Sequence, residues 1–309
     1  REINAGTSFL TYLSTMDKNL LHGAHTALIT PMKDGTVSYA DLESLVARQL
    51  DSGISGVVPC GTTGESPTLS KQEHLQVIRE TVTQVDGKIP VIAGTGANST
   101  GEAIHLTEEA DKAGADGFLL VAPYYNKPSQ EGLYRHFEAV AKDTDLPIIL
   151  YNVPSRTSIN MLPDTVARLS KIKNVVGIKE ASGSLQAISE IIDLCGDEFS
   201  VLSGDDALLW PILAIGGKGV ISVTANILPG KVADLCKAAA TGDIDRARVL
   251  HYELRDINDI LFIDTNPVPV KSAVHFMGKI EDEVRPPLAP LSDSHRESLK
   301  AVLRKHKLI

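Results

Sequence analysis

Short apolar runs recur along the chain, with amphipathic segments between them. The runs are Ala27-Leu28-Ile29, Gly56-Val57-Val58, Val91-Ile92-Ala93, Phe118-Leu119-Leu120-Val121, Ile148-Ile149-Leu150, Val175-Val176-Gly177-Ile178, Phe199-Ser200-Val201-Leu202 and Gly219-Val220-Ile221-Ser222-Val223. Each is too short for a buried helix and most are rich in β-branched residues, which predicts strands. Their near-continuous apolar character suits parallel strands covered on both faces. The segments between them have helical periodicity: Leu75, Ile78, Val82 and Val85 make one apolar face, and Leu133, His136, Phe137 and Val140 another. Ser70 with Glu73 and Ser99 with Glu102 have the spacing of capping boxes.

Strand and helix alternate eight times, which predicts an α/β protein of the (β/α)8 TIM-barrel class. The rival, a doubly wound sheet, needs a glycine-rich phosphate loop after its first strand, and Thr30-Pro31-Met32-Lys33 is not one. Beyond residue 225 the strand pattern stops. Asp243 to Phe262, Val268 to Met277 and Ser292 to His306 read as three further helices. The expected organisation is a barrel over residues 16–240 and a C-terminal three-helix extension over 241–309, packed on the barrel without a linker. Residues 1–15 lack a charged-then-apolar signal pattern, and Met16 reads as a start. What precedes it is taken as a cloning remnant, an upstream extension or the stub of a transit peptide.

Composition narrows the classes. The chain has 309 residues, 43% of them hydrophobic, enough for a sizeable core. A net charge of −9 argues against nucleic acid or anionic lipid as the main partner. Cys60, Cys195 and Cys236 are scattered and form no CxxC pair, so neither a disulfide framework nor a zinc site is supported and a reducing, cytoplasmic setting is expected. No apolar stretch is long enough for a membrane span.

In a barrel, reactive groups lie at the C-terminal ends of the strands. Four such places carry polar residues. In Gly177-Ile178-Lys179-Glu180, alternation puts Val175, Gly177 and Lys179 on one face and Val176 and Ile178 on the other. With the second pair against the helices, Lys179 points into the mouth and Gly177 leaves space below it. Lost hydration there favours the free amine, which attacks carbonyls; a lysine snorkelling to solvent is the ordinary alternative. Tyr151 ends the preceding strand, where a phenol beside an amine can shuttle protons or simply pack its ring. Gly61-Thr62-Thr63-Gly64-Glu65 can hold a carboxylate on backbone N–H groups and hydroxyls, or be a plain polar turn. Tyr124-Tyr125-Asn126-Lys127-Pro128 suits a ligand wall or an interface, and Arg156 suits bidentate carboxylate binding, although either could be ordinary surface. A metal-dependent aldolase would need His and carboxylate ligands at strand ends, and the nine histidines do not supply them. His22 and His25, for example, are expected ahead of the first strand.

Three of these motifs, Gly61–Glu65, Tyr151-Asn152-Val153-Pro154-Ser155-Arg156-Thr157 and Gly177-Ile178-Lys179-Glu180-Ala181, closely resemble the dihydrodipicolinate synthase family, within the N-acetylneuraminate lyase superfamily of Schiff-base aldolases. The resemblance runs from about His25 to the C-terminus and includes Leu202-Ser203-Gly204-Asp205-Asp206. It implies that Lys179 forms an imine with pyruvate, whose carboxylate rests on the turn carrying Thr62 and Thr63, and that the enamine attacks aspartate 4-semialdehyde. It implies a proton relay of Thr62, Tyr151 and Tyr125, the last reaching into a neighbouring subunit's site. It implies that Arg156 binds the second substrate's carboxylate, with Gly204 and Ile221 also lining the substrate pocket. It further implies a homotetramer built as a dimer of dimers, with no organic cofactor and no catalytic metal, acting in lysine and diaminopimelate biosynthesis. The compartment is cytoplasmic, or plastid if residues 1–15 are a transit-peptide stub.

Sister lyases acting on N-acetylneuraminate or 2-keto-3-deoxy sugar acids share the lysine and tyrosine, and an inert keto-acid-binding barrel is the non-enzymatic alternative. Arg156 and the double threonine suit the synthase better. Some members of the family are inhibited by lysine; Ser66, His74, Asn98, Glu102 and Tyr124 match that site, whereas Pro67 and Lys71 depart from it. A cation at Lys71 would repel a cationic effector.

Overall fold

A computed structural model describes residues 20–309; the expectations for residues 1–15 and for Met16 lie outside the described residues. Eight parallel strands form the central sheet: β1 (Gly23–Ala27), β2 (Gly56–Val58), β3 (Ile92–Gly94), β4 (Gly117–Val121), β5 (Ile148–Asn152), β6 (Val175–Glu180), β7 (Ser200–Ser203) and β8 (Gly219–Ser222). Their order is β2-β1-β8-β7-β6-β5-β4-β3. A parallel bridge between Val57 and Val91, with Gly94 N donating to Pro59 O at 2.9 Å, joins the two ends into a barrel. Each strand is followed by its helix: α1 (Tyr39–Leu50), α2 (Lys71–Val85), α3 (Thr100–Lys112), α4 (Gln130–Lys142), α5 (Pro163–Leu169), α6 (Leu185–Cys195), α7 (Leu209–Ala214) and α8 (Pro229–Ala240). The fold is the (β/α)8 barrel that the alternation predicts, followed by α9 (Ile244–Ile260), α10 (Val268–Phe276) and α11 (Asp293–Lys305). None of the described helices is long and apolar enough to cross a membrane.

Local chemistry accounts for most boundaries. Ser70 and Glu73 form the expected reciprocal capping box at α2. Ser129, Ser184, Asp243 and Ser292 each accept a backbone N–H at the start of their helices. Ser99 does not cap with its side chain, contrary to its spacing; Glu102 instead stands 3.4 Å from Lys71 of the neighbouring helix. The buried face of α2 is His74, Val77, Ile78, Thr81 and Val85, so Leu75 and Val82 lie at its margin.

Three expectations about strands are corrected. β1 runs over Gly23–Ala27 instead of 27–29, and His25 therefore lies within it. His25 and Thr26 are fully buried: His25 Nε2 donates to Leu20 O at 2.8 Å, its Nδ1 has no partner among the described residues, and Thr26 Oγ1 donates to Gln49 Oε1 at 2.8 Å. Strict alternation also fails in β6. The register slips between Ile148 and Ile149, so that Val175 packs in the outer layer with Ile178 while Val176 lies against the inner cluster. Nor does Gly177 leave space. A Cβ there would come 2.8 Å from Leu21 Cδ1 and 2.5 Å from Ser200 O, because Leu20 and Leu21 fill the barrel from below.

The inner cluster also holds Val58, Ile92, Leu119, Ile149, Leu202 and Ile221. The extension shares a separate core with the barrel, where Ile257, Val270 and Leu303 meet Ile29, Val223 and Ile227. It is also tied down by polar contacts. Arg285 binds Glu73 through both terminal nitrogens, at 2.8 and 2.5 Å, and donates to Thr68 O and Gly35 O. The Arg285 hydrogen bond is the main reason the Glu73 carboxyl is held down at about 2. A depressed carboxylate stabilises the fold above its ordinary value of 4.5, and that contribution disappears as pH falls towards 2. Arg285→Ala is therefore expected to melt below the parent at neutral pH, with the gap narrowing across that acid window. Melting midpoints over a pH series measure it, and a gap that stays constant would remove Glu73 from the account.

Candidate active site

The C-terminal ends of β2, β5, β6 and β7 open into one cavity of about 420 Å3, lined by Thr62, Thr63, Tyr151, Arg156, Lys179 and Gly204 among others. A larger cleft of about 690 Å3 lies at the opposite end of the barrel, beside His22, Ser55 and Lys218. It holds none of these groups.

Lys179 is 5% exposed and stands opposite Tyr151 in the β5–β6 register. Its Nζ lies 4.4 Å from the Tyr151 ring centroid, over the face of the ring. Gly204 makes room for it: a Cβ there would come 3.2 Å from Lys179 Cε and 2.7 Å from Ala181 Cβ. The next residue, Glu180, is buried and accepts from Asn152 Nδ2 at 2.9 Å and Ser182 N at 2.6 Å. Burial pushes its carboxyl up, and these hydrogen bonds oppose the shift.

The turn after β2 is closed by hydrogen bonds from Gly64 N to Gly61 O and from Glu65 N to Thr62 O, both 3.1 Å. Thr63 Oγ1 accepts from Asn266 Nδ2 at 3.0 Å, and Arg156 Nη2 donates to Asn266 O at 3.1 Å. Asn266 thus links the turn to the arginine. Arg156 comes from the short helix Pro154–Thr157, exposed at the rim. Ile221 lies in the apolar layer beneath the cavity, 1% exposed. Tyr125 is not among the lining residues; it is 89% exposed, with a left-handed φ of 71°.

A second chamber of about 240 Å3 shares Thr62, Tyr151 and Arg156 with the first and reaches Ser66 and Tyr124. His74 Nδ1 is 3.5 Å from Ser66 Oγ and its Nε2 donates to Gly94 O at 2.8 Å. Asn98 and Glu102 lie outside this lining; Asn98 O accepts from Asn126 Nδ2 and Glu102 faces Lys71. Asn258, Phe262 and Asn266, all from the C-terminal extension, also line the main cavity. Strand-end reasoning missed them, and no local motif marks them.

The arrangement offers a buried amine, a phenol beside it, a hydroxyl-rich turn and a rim guanidinium. A family model described as the dihydrodipicolinate synthetase family matches residues 20–306. The chain belongs to that family. A relative named 4-hydroxy-tetrahydrodipicolinate synthase, from Geobacter sp. (strain M21), is 56% identical over 94% of this chain and 100% of its own. The crystal structure of dihydrodipicolinate synthase from Aquifex aeolicus is 50% identical, with a TM-score of 0.92 over 93% of this chain and 98% of that one. The chloride-inhibited dihydrodipicolinate synthase from Acinetobacter baumannii, solved in complex with pyruvate, is 46% identical, with a TM-score of 0.92 over 94% of this chain and 100% of that one. The family's barrel and this chain's barrel therefore superpose over nearly their whole lengths.

Proposed function

We propose that this chain condenses pyruvate with L-aspartate 4-semialdehyde to give 4-hydroxy-tetrahydrodipicolinate, on the route to diaminopimelate and lysine. The observation that carries the reading is the Lys179 amine, buried at the barrel mouth beside Tyr151. Its lone pair attacks the keto carbon, and loss of water leaves an imine. Loss of a methyl proton gives the enamine, whose carbon attacks the aldehyde and turns its oxygen into a hydroxyl. The amino group of the second substrate then displaces the lysine and closes the ring.

Tyr151 moves protons at the imine nitrogen in this reading, with Thr62 next in the relay; both line the cavity that holds Lys179. The turn at Thr62 and Thr63 receives the pyruvate carboxylate, and Arg156 that of the second substrate. Gly204 and Ile221 shape the pocket around the lysine. Tyr125, turned to solvent in the single chain, completes the relay from a neighbouring copy across a dimer contact, within a dimer-of-dimers tetramer. We place the enzyme in the cytoplasm, consistent with its three free cysteines.

Borohydride trapping with pyruvate tests the chemistry, and a coupled assay with aspartate semialdehyde, run beside N-acetylneuraminate cleavage, tests the substrate. A trapped adduct on Lys179 with the first assay active is the expected result. Cleavage of N-acetylneuraminate alone would move the chain to the sister lyases, and no adduct at all would leave an inert barrel.

Ser66, His74, Asn98, Glu102 and Tyr124 would form a lysine-inhibition site, but the carboxylate there already faces the Lys71 ammonium at 3.4 Å. A cationic effector would meet a like charge and a paired acid. Initial rates in millimolar lysine are expected to match those without it; clear inhibition would mean that Lys71 yields its place.

A further inference from the structure

Glu65 ends the Gly61–Glu65 turn in the left-handed region, φ 55°, which side chains other than glycine seldom adopt. Its carboxylate is fully buried, with Oε1 2.5 Å from Lys271 Nζ and Oε2 accepting from Arg285 N at 3.0 Å. Lys271 is also fully buried and sits within the otherwise apolar Val268–Val270 and Ala273–Val274 stretch of α10. Burial drives its ammonium towards the neutral form, and Glu65 is the chief group opposing this. Two further contacts hold the same turn. Thr30 Oγ1 donates to Gly64 O at 2.7 Å, and Asn266 Nδ2 to Thr63 Oγ1 at 3.0 Å. Apart from Thr30, the residues that grip the turn, Asn266, Lys271 and Arg285, lie about two hundred positions away in sequence.

A buried ion pair is a poor way to gain stability, because desolvating both charges offsets most of their attraction, and apolar residues of similar volume do as well. What such a pair supplies is direction. It fixes one carboxylate orientation, and through it one backbone conformation at Glu65. We propose that the Glu65–Lys271 pair is a positioning device for the keto acid, locking the Gly61–Glu65 turn so that Thr62 and Thr63 face the cavity in the geometry that receives a carboxylate. The inference rests on the reading that this turn holds the pyruvate carboxylate. Glu65 and Lys271 touch no substrate; they act through the turn. The C-terminal extension thereby contributes to the first-substrate subsite as well as to packing.

The test compares Glu65→Gln, Lys271→Met and the double variant in the full chain. Each single variant leaves a buried charge or donor unpaired and is expected to melt early, whereas the double variant removes both charges and recovers much of the lost melting temperature. The deciding readout is the pyruvate concentration that gives half-maximal borohydride-trapped adduct, set against the KM for aspartate semialdehyde. In the double variant the pyruvate value is expected to rise between about tenfold and a hundredfold, as for a misplaced binding group, with the second substrate's KM unchanged. A stable double variant with parental pyruvate half-saturation, or equal rises for both substrates, would overturn the proposal. So would failure of all three variants to fold, which would make the pair purely structural. A parent chain that traps no pyruvate on Lys179 would instead sink the underlying reading before any variant is compared.

Discussion

Lys179→Ala abolishes the borohydride-trapped pyruvate adduct and lowers turnover by more than about a thousandfold, as loss of a covalent nucleophile does elsewhere. Folding is expected to survive, because the truncation opens space towards an existing cavity and deletes no strand contact: the β5–β6 and β6–β7 backbone registers at this residue remain. The loss should appear in kcat and in trapping together. Mass spectrometry of the reduced protein and a melting curve separate lost chemistry from a lost fold. An adduct surviving on another residue would refute the assignment, and Lys271 is the control to watch, since it is a fully buried lysine against the turn.

Arg156→Ala is expected to cut kcat/KM for aspartate semialdehyde by about thirty- to a hundredfold, the equivalent of about 2–3 kcal/mol for a charge-assisted pair with a carboxylate. Pyruvate trapping should change little, because the guanidinium stands at the rim and its contact is with Asn266 O. Steady-state kinetics with each substrate varied in turn, beside trapping titrations, measure the split. Equal losses for both substrates would mean that Arg156 mainly holds the loop of Asn266, and through it Thr63.

The barrel was legible because its strands announce themselves as short apolar runs, but β1 shows where that signal stops. Its buried His25 Nε2 and Thr26 Oγ1 find Leu20 O and Gln49, partners that no local pattern discloses. The β6 bulge was hidden for a similar reason, since a register slip depends on the neighbouring strand. Reading Lys179, Tyr151, Thr62, Thr63 and Arg156 as strand-end or loop residues was enough to bring them to one cavity. Asn258, Phe262 and Asn266 were invisible because they enter from α9 and the turn between α9 and α10, which the sequence presents only as an appendage. Lys271 left one trace, a lone charge inside Val-Pro-Val-Lys-Ser-Ala-Val, and a charge buried in an apolar helix calls for a partner elsewhere.

Leu20 and Leu21 have a consequence for how the molecule is made. They precede β1 directly and occupy the barrel's floor, whereas the wall closes only when β8 pairs with β1, Gly219 opposite Gly23. A ribosome delivers the floor almost two hundred residues before that last stave, and a domain folds as a unit once its chain is available. The nascent ring can therefore assemble around its own bung, and no bulky side chain has to be threaded into a tube already shut.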